Sequence, residues 1–259
     1  MNAAERRLLV DRDDRANPDR TLQLWRDRLT TTLTIDALSD SLATLVDQNA
    51  PTSTTMTPLG YNPMHDYRVY IQRDGSYGLF AQKDAMYESQ YAHYEPRNFS
   101  DTSRFASFRY LESIIREAKS HHIQLIMYIH PYHANFLEIL RKDGLWSSFE
   151  AWKRALVRVV DSEQSDSAPP MRLLDFSGYN EVTTERVPAP GDVQSQMRWY
   201  WESGHYKREL GDLVLSAMFS ASAEFGLPLT LSTIDAVLTK IRGERERFLL
   251  EIRSQAGTQ

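Results

Sequence analysis

The stretch Trp199 to Leu210, WYWESGHYKREL, sets a carboxylate three residues ahead of an imidazole: Glu202 and His205, with Gly204 between them to allow a turn. A carboxylate at that spacing can accept the Nδ1 proton, fix the tautomer and leave Nε2 to take a proton from a hydroxyl. That is the rear half of a nucleophile, base and acid relay. The same two residues also fit a blander role, with Glu202 capping a helix and His205 on the surface.

Two more histidines, His130 and His133, leave an apolar run in IQLIMYIHPYHA. They either contact a ligand or hydrogen-bond backbone carbonyls. A zinc site would need a third ligand that nothing identifies, so neither a metal nor a cofactor is expected. Tyr132, Asn180 in SGYNE, and the aromatics Trp199 and Trp201 are candidate substrate contacts, with packing as the alternative for the aromatics.

These residues need a scaffold. Ile123 to Ile129 is nearly all apolar, short and stopped by Pro131, which predicts a strand covered on both faces, and MRLLDF predicts a second. Three-four periodicity predicts helices over Phe105 to Ala118, Ala134 to Leu140 and Phe149 to Val160, and over YKRELGDLVLSAM with Leu210, Leu213, Val214 and Ala217 inward. Alternating helices and strands imply parallel βαβ units, whose ligands bind beyond the carboxyl ends of the strands. His205 is then expected at the N-terminus of the YKREL helix, where the dipole favours a neutral ring.

Upstream, Thr34 and the stripe Ile35, Leu38, Leu42, Leu45 and Val46 predict a capped amphipathic helix, followed by a Pro- and Thr-rich linker. DYRVYIQRDGSYGLFAQ alternates at Tyr67, Val69 and Ile71 and carries Asp74-Gly75, which predicts a β-hairpin. After Pro228 the stripe Leu231, Ile234, Leu238, Ile241, Phe248 and Ile252, interrupted by Arg245, predicts a final helix. It either packs on its own domain or offers Leu231 to Ile252 for self-association. The expected division is a helical segment and linker over 1–60, an α/β domain over 61–222 and a C-terminal amphipathic helix over 223–259.

The 259 residues are 41% hydrophobic, an ordinary globular composition, and the net charge of -5 provides no field to attract a phosphate backbone. Nucleic acid is not an expected partner. The absence of cysteine excludes disulfides and a thiol nucleophile, and the opening residues contain only the short apolar run Leu8 to Val10, so no membrane segment is expected.

An apolar strand before a late acidic-x-x-His loop resembles the SGNH (GDSL-like) hydrolase superfamily. YIHPYHANFLEIL, FEAWKRALV, LLDFSGYNEVTTERVP and MRWYWESGHYKRELGDLVL are similar to the C-terminal half of bacterial cell-envelope members related to exopolysaccharide O-acetyltransferases, over about Leu33 to Met218. The resemblance implies a three-layer flavodoxin-like sandwich with flanking helices. It also implies an extracytoplasmic setting, a carbohydrate or acylated small molecule as substrate, and His205 and Glu202 serving a serine nucleophile.

Glu202 replaces the family's usual aspartate. The Gly-Asp-Ser-like nucleophile block is not found, so the domain is expected to be incomplete at its N-terminus. Ser177 lacks a Gly-x-Ser-x-Gly elbow, and Ser39 and Ser41 fall on a predicted helix. The alternative function is a non-catalytic glycan-binding or assembly module.

Overall fold

A computed structural model describes residues 18–48, 56, 60–164, 169–219 and 225–256. The chain divides into two compact units, Met1–Asp66 and Tyr67–Gln259. In the first, α1 (Arg20–Thr32) is followed by α2 (Ile35–Asp47). Thr34 caps α2 as its sequence predicts, accepting the Ala37 N–H at 3.0 Å. The stripe from Ile35 to Val46 lies exposed on this helix.

The region expected to form a hairpin is instead helical. α3 (His65–Tyr91) bends at Gly75, whose φ of 77° and ψ of 166° lie outside the helical region. A side chain there would also collide with the backbone, since a Cβ would stand 2.5 Å from the Asp192 carbonyl oxygen. The Asp74-Gly75 signal therefore marks a helix break. Beyond it the less exposed positions include Ser76, Leu79, Phe80, Lys83, Asp84, Tyr87, Glu88 and Tyr91, a three-four period. Much of that inward face is polar, so apolar residues alone could not disclose it.

The rest of the unit runs α4 (Ala106–Ser120), β1 (Ile126–Ile129), α5 (Ala134–Lys142), α6 (Trp146–Ser162), β2 (Arg172–Asp175), β3 (Tyr200–Glu202), β4 (His205–Tyr206), α7 (Arg208–Phe219), β5 (Leu227–Pro228) and α8 (Ile234–Ala256). β1 and β2 are parallel, Ile126 opposite Arg172 and Ile129 opposite Asp175, and β5 joins the other edge of β2 antiparallel. Successive residues of β2 enter different cores. Leu173 packs with residues of α4, α5, α6 and α8, and Leu174 with Phe80 and residues of β3 and α7. β2 is thus covered on both faces as its apolar run predicts, whereas β1, at the edge of the sheet, leaves Tyr128 exposed and buries fully only Ile129; the strand starts at Ile126, and Ile123 ahead of it is exposed.

The described residues form a mixed α/β fold of eight helices and small sheets, 59% helix and 7% strand, so the strands are a thin scaffold for a helical molecule. No helix among them is long and apolar enough to cross a membrane.

On α8, Ile234, Val237, Leu238 and Ile241 are buried and Phe248 packs against the same core, while Ile252 is exposed; Leu231, expected to open the stripe, lies exposed in the turn before the helix. Arg245, which breaks the stripe, is held by Glu138 through two bonds of 2.7 Å. On α7, Leu210, Val214 and Ala217 are buried as expected, but Leu213 is exposed and Met218 takes the remaining inward position.

Candidate functional site

Glu202 ends β3, His205 begins β4, and the two are cross-strand partners around the Ser203-Gly204 turn. The hairpin therefore places their side chains together. His205 Nδ1–H donates to Glu202 Oε1, and the second carboxylate oxygen accepts the Gly204 N–H at 2.7 Å. The Glu202 side chain is wholly excluded from solvent, whereas that of His205 is 58% exposed. The carboxylate is thus fixed from behind, and among the described residues no hydroxyl hydrogen-bonds the imidazole.

The expected helix-terminal position is corrected. α7 starts at Arg208, so His205 lies on a strand. The charge consequence is also reversed. Hydrogen bonding to Glu202 raises the imidazole pKa above its ordinary value, with burial and the positive charge of Lys83 opposing the shift.

Two elements brace the turn. From α3, Asp84 Oδ1 accepts the Ser203 hydroxyl, and its Oδ2 accepts Asn135 Nδ2–H at 2.9 Å. From the segment after β1, the His133 N–H donates to the Ser203 carbonyl at 3.0 Å, and His130 Nε2–H donates to the Gly204 carbonyl at 3.1 Å. Burial raises the Asp84 pKa against the bonds from Ser203 and Asn135.

The histidines leaving β1 therefore abut the site chiefly through backbone groups. His130 lies near Tyr206 and Tyr132, with ring centroids 4.8 and 4.5 Å away, and burial pushes its pKa down to about 4. His133 is buried. Its Nδ1 accepts the Asn135 N–H at 3.2 Å, capping α5, and its Nε2–H donates to the Glu185 carbonyl at 2.7 Å. Burial also holds its pKa near 4. Among the described residues no three His, Asp or Glu side chains form a metal-binding group.

Tyr132 stacks on Phe136 at 4.2 Å. Asn180 Oδ1 accepts the N–H groups of Val182 and Thr183, both at 3.1 Å, closing its own turn. Trp199 is half-buried, with the Arg198 guanidinium 4.1 Å from its ring. Trp201 is buried, with Lys207 Nζ 4.8 Å and the Arg68 guanidinium 5.1 Å from its ring.

Ser177 is also buried. Its hydroxyl donates to Asp175 Oδ1 at 2.7 Å and accepts from Lys153 Nζ at 2.7 Å. Lys153 and Asp175 are themselves paired at 2.6 Å with no solvent exposure. This cluster ties α6 to the carboxyl end of β2.

Asp84, Asn135, Ser203 and Tyr87, whose phenol oxygen lies against Gly204, are contributors that sequence motifs did not single out. Only the period of α3's inward face, once the helix is known, points to Asp84 and Tyr87. Comparison with protein-family models, with curated proteins and with solved structures finds no match to this chain.

Proposed function

We propose that this chain is an SGNH-like esterase or O-acyltransferase segment acting on acyl groups of a carbohydrate or exopolysaccharide, with His205 as general base and Glu202 as its orienting acid. The observation that supports this most is the asymmetry of the pair, in which a solvent-excluded carboxylate is held at both oxygens behind a half-exposed imidazole. Nε2 takes the proton of a hydroxyl as that oxygen attacks the acyl carbonyl. The imidazolium then returns the proton to the departing oxygen, while Glu202 stabilises the transient charge. Neither Ser203 nor Ser177 supplies the attacking hydroxyl, because each is buried and committed to a carboxylate.

The parallel β1–β2 pair with apolar cores on both faces supports the finer reading of a flavodoxin-like sandwich. The test is hydrolysis of p-nitrophenyl acetate and of an acetylated oligosaccharide by the whole chain. Turnover that His205→Ala lowers by roughly 10²–10⁴-fold is expected. A folded protein with no turnover above buffer on either ester overturns the proposal.

A further inference from the structure

We propose that Asp84 is a positioning residue for the Glu202–His205 pair, a carboxylate on α3 that fixes the turn through which the two side chains meet. The inference rests on the reading of His205 as the base. Glu202 and His205 are separated only by Ser203 and Gly204, so any rotation of that turn changes the angle between carboxylate and ring. Asp84 is attached to it directly, since it accepts the Ser203 hydroxyl, and Ser203 is wholly buried.

The other end of the clamp is equally defined. Asp84 Oδ2 accepts from Asn135 Nδ2 at 2.9 Å, and Asn135 sits in the first turn of α5 with its N–H on His133. The His133 N–H in turn holds the Ser203 carbonyl at 3.0 Å. Ser203 is therefore gripped at its side chain by α3 and at its backbone by the start of α5, and Asp84 and Asn135 close the ring between those two supports. A ring of bonds of this kind sets the orientation of a base without touching the substrate.

The geometry separates positioning from charge. In Asp84→Asn the amide oxygen still accepts from Ser203, and the amide N–H finds an acceptor once the Asn135 amide rotates by half a turn, so the ring closes without the negative charge. In Asp84→Ala it cannot close.

The experiment follows the His205 ring by NMR titration in the wild type, Asp84→Asn, Asp84→Ala and Ser203→Ala, with thermal unfolding recorded for each. Kinetics on p-nitrophenyl acetate accompany the titrations. Positioning predicts that Asp84→Ala and Ser203→Ala both lower the His205 pKa towards its ordinary value and reduce kcat at least about tenfold with little change in KM. Asp84→Asn stays within about threefold of wild type.

A wild-type titration in Asp84→Ala and Ser203→Ala overturns the proposal, as does an Asp84→Asn variant as damaged as Asp84→Ala. Should Asp84→Ala fail to fold, Ser203→Ala decides, because it opens the same ring from the other side. The titration needs no turnover. If no ester is cleaved but the His205 pKa falls as described, the acyl-transfer reading fails while the positioning role stands.

Discussion

Tyr87 rests against Gly204 so closely that a Cβ built on the glycine would stand 2.1 Å from the phenol oxygen and 2.8 Å from Cζ. The helix α3 thus approaches the Glu202–His205 turn at a position where only hydrogen fits. Gly204→Ala is expected to cost roughly 1–3 kcal/mol of stability through overpacking and to displace the turn. Tyr87→Ala should recover much of that loss when combined with Gly204→Ala, giving non-additivity in a double-mutant cycle read by urea unfolding. Strict additivity would show that the two residues do not meet.

The pH dependence follows from the raised His205 pKa. The proposed reaction needs the neutral ring, so the rising limb of its rate profile is expected above the ordinary value of 6.5. Glu202→Gln removes the charge-assisted bond and should move that limb to lower pH while also reducing the plateau.

Stability moves in the opposite direction. A ring whose folded pKa exceeds its unfolded value stabilises the fold at pH below 6.5 and loses that contribution as pH rises through the folded value. The stability gap between wild type and His205→Gln should therefore be larger at acidic than at alkaline pH. A gap that does not change with pH would contradict the assigned ion pair.

The pair Lys153 and Asp175 lies in the core at 2.6 Å. Removing one partner leaves the other charge buried and uncompensated, so Lys153→Met is expected to destabilise by about 3–5 kcal/mol. The double change Lys153→Met with Asp175→Leu should cost much less, because both desolvation penalties disappear. Denaturant midpoints compare the two variants directly, and equal losses would refute the pairing.

Gly75 carries positive φ and faces the Asp192 carbonyl. Gly75→Ala is predicted to lose roughly 1–3 kcal/mol from backbone conformation alone, plus the cost of moving Asp192. Gly144 also has positive φ, but a Cβ there would meet nothing within 4 Å. Gly144→Ala should therefore lose less, and thermal unfolding of the two variants provides the comparison.

By itself the sequence determined the segments whose period and composition agree. β1 and β2 were legible because each is a short apolar run flanked by polar or breaking residues, and α4, α5, α6 and α8 because each has one wet and one dry face. The pairing of Glu202 with His205 was legible for a local reason, since three residues and a glycine can close a turn without help from the rest of the chain. Tertiary structure alone decided the character of α3. Its inward face carries Ser76, Lys83, Asp84 and Tyr87, chosen for contacts with distant residues, so local hydrophobicity could not reveal it. Tertiary structure likewise decided that His205 lies on a strand with a raised pKa and that Asp84, 119 residues upstream of Ser203, holds the turn. Hydrogen bonds between remote segments leave no period in the chain, and so appear only when the segments are folded together.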